Sequence, residues 1–277
     1  MFNIVKNQCK VMCAKRSFWI SFFIVLLYAL GSYGYNLIQY WGRDVSAVYA
    51  RTSLACTSAD GDMFVYFQLL FPFIVVFPFA TSFFEDVENK SIGFWIRRSG
   101  KKRYYISKLA ACFIGCFIVI LVPFLINLIL VWVTFPSTAA TNWGTIYSEE
   151  FFQNLYDFDR MKYDLFQIHF FIRHPVLYEL GIILAAAIFA GIFGVVAFAF
   201  SIYIRKYKIL IFLPVYILFF LLDRLNVMVE SMNFSLLDYV TVSTNPNKNY
   251  ILFFGICLFF LVVSSIIIYR QSKKDVL

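Results

Sequence analysis

The chain has 277 residues, of which 61% are hydrophobic and only 14% are charged, and its mean hydropathy is +0.76. This composition excludes an ordinary soluble domain and indicates a protein of the lipid bilayer. The net charge of +8 does not indicate nucleic-acid binding, because short basic loops at an anionic membrane surface account for it.

The N-terminal segment 1–17 is predicted to contain an amphipathic helix. Its apolar residues fall within about a 100° arc of a helix, and Lys6 and Lys10 fall outside that arc. We therefore expect an interfacial helix that lies on the inner membrane surface. The residues of the apolar arc are Phe2, Val5, Cys9, Met12 and Cys13.

Six apolar runs are predicted to cross the membrane as helices, which makes 1–277 one all-α, polytopic transmembrane domain. Five of them lack Asp, Glu, Lys and Arg over about 20 residues, the length that crosses about 30 Å of hydrocarbon. The run 209–222 has only 14 residues, and we include it because the charge distribution needs a sixth span. The predicted spans are 18–40, 63–84, 109–135, 180–204, 209–222 and 250–269.

The basic residues predict the orientation of the chain. With six spans and a cytoplasmic N-terminus, most of the 24 Lys and Arg residues fall in inside segments, as the positive-inside rule requires. We therefore expect a multi-pass protein of the cell membrane with both termini in the cytoplasm. The first run also fits a secretory signal peptide, but its length and the five runs that follow favour a retained span. The inside segments are 1–17, 85–108, 205–208 and 270–277.

Residues within the spans predict how the helices pack. Ala186, Ala190 and Gly194 recur at every fourth position, a small-residue stripe that lets another helix approach closely, within the chain or from a second copy. Pro72 and Pro78 each remove a backbone donor and can kink the second span.

The cysteines predict packing more than chemistry. Cys9 and Cys13, and likewise Cys112 and Cys116, have a spacing that could hold a metal on a helix, but no His or carboxylate lies near either pair in sequence. We interpret them as small apolar packing residues. Cys56 alone is predicted to face outside, so no disulfide between outside cysteines is expected.

Two absences from the sequence restrict the transport mechanism. The five longer runs contain no intramembrane carboxylate or base of the kind that binds a coupling ion, which argues against a secondary transporter. The chain also lacks a G-x-x-x-x-G-K-[ST] phosphate loop, so it does not hydrolyse ATP by that chemistry. Any ATP-driven work requires a partner.

The segment 136–178, predicted to be extracytoplasmic, raises the alternative of an enzyme. It resembles the paired-glutamate and F-x-x-x-H elements of intramembrane CAAX-type proteases, although Asn154 stands where the first element has Arg. All the candidates fall in one loop instead of converging from several spans, and this favours an aromatic-rich cap at the outer interface. The candidate residues are Glu149, Glu150, His169 and His174.

The segment 85–108 lies in the stretch "FFEDVENKSIGFWIRRSGKKRYYISK", where acids come first and bases last. This order complements a helix macrodipole, while Gly93 weakens the middle and Gly100 is predicted to stop the helix, so we expect one or two short helices. Phe94 and Trp95 are bulky apolar residues on a polar loop. They indicate a docking surface, with membrane anchoring as the alternative.

Six spans, an amphipathic N-terminal helix and this loop before the third span resemble the permease subunits of type-two ABC exporters. The resemblance implies that 85–108 forms a coupling helix seated in a cleft of a separate ATPase subunit, and that two permease copies pair as a homodimer or heterodimer. It also implies that ATP and Mg bind in the ATPase and that no cofactor binds this chain directly. The implied coupling residues are Glu85, Asp86, Glu88, Gly93, Phe94, Trp95, Arg97 and Arg98.

The expected function is therefore that of a non-enzymatic permease subunit that exports an amphipathic peptide, an antimicrobial compound or a lipid-like molecule. Its expected partners are the ATPase, a second permease copy and membrane lipid, with no nucleic acid. The alternatives are a CAAX-type protease and an ATP-independent membrane scaffold or receptor.

Overall fold

A computed structural model of the chain describes residues 2–43, 51–58, 64–135, 174–204, 208–228, 234–241 and 250–273. These residues form helices and short connections, and the described part of the chain contains no β-strand. Two 3-10 turns, Lys208–Ile211 and Asp238–Val240, accompany the α-helices. The α-helices are α1 (Phe2–Cys13), α2 (Arg16–Gln39), α3 (Arg51–Leu54), α4 (Phe64–Val76), α5 (Ser82–Glu88), α6 (Ile92–Ser99), α7 (Lys101–Thr134), α8 (Pro175–Ser201), α9 (Phe212–Met228) and α10 (Tyr250–Lys273).

Four of the described helices are long and apolar enough to cross a membrane. They comprise α2, α7, most of α8 and most of α10, and they correspond to the first, third, fourth and sixth predicted spans. The helices extend beyond the charge-free runs, since α7 begins at Lys101 and α10 continues to Lys273. The chain thus has the all-helical construction expected of a multi-pass membrane protein.

The second and fifth predicted spans differ from the other four. The run 63–84 is not one helix, because α4 has 13 residues and a turn at 77–81 separates it from α5. Helix α4 accommodates Pro72 but ends two residues before Pro78, whose ring disfavours a helical conformation in the preceding residue. The run 209–222 begins as a 3-10 turn and continues into α9, which has 17 residues.

Helix α8 is the centre of the helix bundle. It is buried over most of its length and packs most extensively on α7, with α4, α9 and α10 around it. Phenylalanine rings fill the space between these helices. Phe71 of α4 stacks on Phe189 of α8 with ring centroids 5.4 Å apart, and Phe193 of α8 lies 4.8 Å from Phe219 of α9. Such aromatic pairs add to the apolar burial that holds the bundle together.

The small-residue stripe of α8 is buried inside the chain. A methyl group at Gly194 would lie 2.4 Å from the Cys116 Sγ atom of α7, which is closer than contact distance. The Cys112 thiol donates to the Gly194 carbonyl at 3.2 Å, and the Cys116 thiol donates to the Val75 carbonyl at 3.1 Å. Ala190, one turn before Gly194, is also buried. The absence of a side chain at Gly194 therefore permits the close approach of α8 to α7.

Helix α1 packs on α7 through one face. Met12 is buried, and its thioether occupies the space that a side chain at Gly115 would need. Lys6 and Lys10 are exposed, as the amphipathic pattern predicts, whereas Cys13 of the predicted apolar arc is also exposed. Part of the apolar face of α1 is thus covered by the bundle.

Asn127 is a buried polar residue in the second half of α7. Its side-chain amide donates to the Ala29 carbonyl of α2 at 2.7 Å, and its Oδ1 accepts the backbone N–H of Cys56 at 3.0 Å. The Tyr28 hydroxyl donates to the Cys56 carbonyl at 2.9 Å. These bonds fix the segment after α3 against α2 and α7. They also bury the Cys56 side chain inside the protein, within a segment that the sequence predicts to be extracytoplasmic.

Candidate functional site

The segment 85–108 contains the end of α5, the whole of α6 and the start of α7. Helix α5 ends at Glu88, Ser91 precedes α6, and Gly100 separates α6 from α7. Gly100 has φ +78°, a left-handed conformation that glycine adopts at little cost. The sequence predicts one or two short helices here and a stop at Gly100, and the structure has both features.

A buried ion pair joins α5 to α7. The Lys108 ammonium lies 2.6 Å from Oδ2 of Asp86 and also donates to the Ser82 carbonyl at 2.9 Å. The Lys108 side chain is only 2% exposed. Because an unpaired charge would be costly at this position, the carboxylate and the carbonyl are what make its burial tolerable.

Asp86 has further partners around its carboxylate. The Tyr104 hydroxyl of α7 donates to Oδ2 at 2.5 Å, and the Ser91 hydroxyl donates to Oδ1 at 3.3 Å. Asp86 therefore connects two side chains of α7 with the start of α6. A carboxylate held by this many donors stays in one orientation.

Glu85 joins the same part of α5 to the start of α2. Its carboxylate pairs with the Lys15 ammonium at 2.5 Å and accepts the Thr81 hydroxyl at 3.0 Å. The Lys15 and Lys108 ammonium groups lie 5.0 and 5.3 Å from the ring centroid of the buried Phe79. The two ion pairs and this ring thus form one network, which we call the α5 network, that fixes α5 to both α2 and α7.

Helix α6 presents an exposed face next to this network. None of its residues is fully buried, Phe94 is 57% exposed, and the Arg98 guanidinium lies 5.2 Å from the Phe94 ring centroid. Trp95 is half-buried and packs against the apolar core, and its carbonyl accepts the Ser99 hydroxyl at 2.7 Å. Trp95 thus attaches α6 to the bundle, while Phe94 and Arg98 face away from it.

The structure divides the implied coupling residues into two groups. Glu85 and Asp86 are engaged in the α5 network, and Trp95 is attached to the core. The remaining residues lie on the exposed surface of this end of the bundle, where a partner could reach them. These are Glu88, Gly93, Phe94, Arg97 and Arg98.

Sequence reasoning did not anticipate the partners of the two acids. Tyr104 and Lys108 lie just before the charge-free run of the third predicted span, a position that predicts the membrane interface, but the structure buries both side chains at the start of α7. Lys15 reaches Glu85 across 70 positions of sequence, a pairing that no local pattern reveals. One signal is available in the sequence, because Lys108 immediately precedes a charge-free run. A lysine that is buried at such a position needs an acidic partner.

A fully buried acid lies near the other end of α7. Glu179 of α8 is fully buried, and its Oε2 accepts the Trp132 indole N–H at 2.8 Å, while no described residue donates to its Oε1. The Arg51 guanidinium stacks 3.4 Å from the Trp132 ring centroid. Burial lowers the pKa of Arg51, and the charge of Glu179 partly offsets that effect. The sequence places Glu179 just outside the fourth span, and the structure places it inside α8.

The protease and metal alternatives concern residues that the structure describes only in part. His174 is exposed immediately before α8, whereas Glu149, Glu150 and His169 lie outside the described residues. Within the described ranges, no group of three His, Cys, Asp or Glu side chains is arranged to hold a metal ion.

No protein-family model, curated protein or solved structure matches this chain. The assignment to a class therefore rests on the composition and on the four long apolar helices, which define an all-helical protein of the multi-pass membrane type.

Proposed function

We propose that the chain is the transmembrane permease subunit of an ATP-binding cassette exporter, paired with a second permease copy and driven by a separate ATPase subunit that binds ATP and Mg. In this proposal α4 with α5, and α9, complete six membrane passages, and both termini lie in the cytoplasm. The proposal rests mainly on one observation. The exposed helix α6 lies beside the α5 network, which contacts α7 and the start of α2.

The α5 network would transmit a movement of α6 to the helices that cross the membrane. Ser91 connects α6 to Asp86, and Asp86 and Glu85 are bonded to α7 and α2. At its other end α6 leads through Gly100 directly into α7. A force applied to α6 by an ATPase would therefore displace the ends of α2 and α7 together and shift the population between inward-open and outward-open packings.

The exposed face of α6 has the chemistry of a docking surface. Phe94 offers an aromatic side chain, and Arg97 and Arg98 place two positive charges beside it. An apolar pocket with acidic side chains at its rim would complement this face. Glu85 and Asp86 then act as positioning residues that hold α6, and Phe94 with the two arginines makes the contact.

The interior of the bundle supports an apolar or amphipathic substrate. The aromatic residues Phe71, Phe189, Phe193 and Phe219 line the contacts between α4, α8 and α9. When these helices separate, such a surface would accept an amphipathic peptide, an antimicrobial compound or a lipid-like molecule better than a strongly hydrated ion.

The test is site-specific photocrosslinking from position 94 in intact cells. A photoreactive phenylalanine analogue at Phe94 should crosslink to a protein that contains a G-x-x-x-x-G-K-[ST] phosphate loop. The control position is Trp41, which is 78% exposed just beyond the far end of α2 and should not give that product. Phe94→Ala should weaken co-purification of the same protein at least tenfold, since truncation of a central aromatic anchor typically costs about 2 kcal/mol or more.

The alternatives give different results in this experiment. A scaffold or receptor that works without ATP would give no crosslink to a phosphate-loop protein, and Phe94→Ala would leave its function unchanged. A CAAX-type protease would lose its function on Glu149→Ala or His174→Ala, while Phe94→Ala would leave it active.

A further inference from the structure

Glu179 is a buried carboxylate with one oxygen that the described part of the chain leaves unused. It lies in α8, within Val176–Ser201, a stretch that is long and apolar enough to cross a membrane. The side chain is fully buried, Oε2 accepts the Trp132 indole N–H at 2.8 Å, and no described residue donates to Oε1. Because a buried acceptor without a donor is costly, an ionisable residue at this position in a membrane helix indicates a ligand site.

The chain already places a cation beside this carboxylate. The Arg51 guanidinium lies 3.4 Å from the ring centroid of Trp132, the same ring whose N–H is bonded to Glu179. Burial lowers the pKa of Arg51 and the charge of Glu179 raises it, so the two groups lie close enough for their charges to interact. An aromatic face beside a carboxylate is an arrangement that recognises organic cations. Trp132 and Glu179 thus form a cation site, and Arg51 occupies it.

The Arg51 side chain can leave the ring while the segment that carries it stays in place. Arg51 is only half-buried and is the first residue of α3, which has four residues. The rest of the segment is fixed, because the Leu54 carbonyl accepts the Asn36 amide at 2.9 Å and the Cys56 N–H donates to Asn127 at 3.0 Å. Rotation of one arginine side chain would therefore open the ring face and the unused carboxylate oxygen to another cation.

The groups at this site favour an organic cation over a metal ion. A hard metal ion takes about six oxygen ligands, whereas the described residues here offer one carboxylate oxygen and an aromatic face. An ammonium or guanidinium group uses both, since it can donate to Oε1 of Glu179 and stack on Trp132. Ile183 and Ala186 follow Glu179 at helical spacing along α8 and are buried and apolar. The group attached to the cation should therefore be apolar as well.

We propose that Glu179 and Trp132 bind the ammonium or guanidinium group of a cationic amphipathic molecule, and that Arg51 occupies this site until the molecule displaces it. The identity of the bound molecule as the exported substrate rests on the proposed function. In the proposed orientation the end of α7 and the start of α8 lie on the extracytoplasmic side, so the site is close to the exit. Return of the Arg51 guanidinium to the ring would then expel the bound cation.

The experiment measures binding of tritiated hexylguanidinium to the purified full-length chain in neutral detergent by equilibrium dialysis, with empty micelles as the background. Hexylurea has a similar shape but no positive charge, and it should show no saturable binding. Arg51→Ala should bind hexylguanidinium at least tenfold more tightly than the wild type, because the competing guanidinium is removed. Adding Glu179→Gln to Arg51→Ala should weaken binding by at least tenfold, because a charge-assisted hydrogen bond is lost.

The matched control is Arg43→Ala. The exposed Arg43 guanidinium lies 5.7 Å from the ring centroid of Tyr40, so this variant removes the same charge and a similar ring contact but leaves Trp132 and Glu179 intact. Hexylguanidinium binding should stay as in the wild type. Equal binding of hexylurea would overturn the proposal, and so would an Arg51→Ala variant that binds no more tightly than the wild type or than Arg43→Ala.

A second variant keeps the test decisive if Glu179→Gln fails to fold. Trp132→Leu in the Arg51→Ala background removes the aromatic face and should weaken hexylguanidinium binding about fivefold, whereas an unchanged affinity would overturn the proposal. The assay contains no ATPase, so its outcome is independent of the Phe94 crosslink. Tight binding without that crosslink would leave the cation site and remove the permease function. A crosslink without binding would leave the permease function and remove the site.

Discussion

The Lys108 ammonium and the Asp86 carboxylate form an ion pair of 2.6 Å between α7 and α5, and the lysine side chain is almost completely buried inside the protein. A buried pair of this kind adds little net stability compared with two apolar residues, but either charge alone would be strongly unfavourable. Its specific contribution is the fixed position of α5 relative to α7.

Breaking this pair from one side should destabilise the protein. We expect Lys108→Met to lower the free energy of unfolding by about 3 to 5 kcal/mol, because the Asp86 carboxylate would lose its closest cation. The double variant Lys108→Met, Asp86→Asn should lose less than the sum of the two single variants. Equilibrium unfolding in mixed micelles measures both effects, with Lys10→Met as the exposed control. Strict additivity would show that the two side chains do not interact.

The adjacent aromatic residues of α6 should respond differently to truncation. Trp95→Ala should cost about 1.5 to 3 kcal/mol of unfolding free energy, because Trp95 packs against the core. Phe94→Ala should change the unfolding free energy by less than about 0.5 kcal/mol, since Phe94 is mostly exposed. The same unfolding assay measures both variants. Equal losses of unfolding free energy for Trp95→Ala and Phe94→Ala would mean that α6 turns a different face to the bundle. The comparison also makes Phe94→Ala the cleaner variant for docking experiments.

The cysteines should react with maleimide in an order set by burial. Cys13 is exposed and should react readily in the folded protein in detergent. Cys56 is buried and its thiol pKa is raised, chiefly by burial and further by the charge of Glu179, so it should react only after denaturation. Single-cysteine variants followed by mass spectrometry check this. Rapid labelling of Cys56 in the folded protein would contradict its position beside Asn127.

Two glycines of α8 should give opposite results when replaced by alanine. Gly194→Ala should destabilise by about 1 to 3 kcal/mol, because the new methyl group would overlap the Cys116 Sγ atom. Gly181→Ala should be neutral or stabilising by up to about 1 kcal/mol, since the space around Gly181 is open and alanine favours a helix. Both variants are compared in one unfolding experiment. A neutral Gly194→Ala would show that α7 and α8 can move apart without loss.

The parts of the fold that could be predicted from the sequence are those determined by hydrophobicity alone. The first, third, fourth and sixth apolar runs each correspond to a long helix, because about 20 apolar residues leave few alternatives. The ends of these helices were harder to predict. A search for charge-free runs stops at Lys108 and Glu179. The structure includes both residues in helices, where Lys108 donates to the Ser82 carbonyl and Oε2 of Glu179 accepts the Trp132 indole N–H.

The relationships between distant segments could not be predicted. The order of charges in 85–108 complements a single helix dipole, whereas the predicted stop at Gly100 divides the bases between two helices. Arg97 and Arg98 lie at the favourable end of α6, while Lys101 to Arg103 lie at the unfavourable end of α7. The assignment of each base to α6 or α7 depends on the backbone conformation of a single glycine. The pairing of Lys15 with Glu85 depends on how the whole bundle packs.

The central position of α8 has a consequence for how the chain is inserted into the membrane. Its largest partner, α7, is synthesised before it, but α9 and α10, which cover its other faces, come later. Completing α10 after the end of α8 requires about 70 further residues, or several seconds at about 5 to 20 residues per second. During that interval the faces of α8 that α9 and α10 contact in the finished bundle lack those two partners. The side chains there include Phe189 and Phe193, whose contacts with Phe219 of α9 and Phe260 of α10 can form only after those helices have been synthesised.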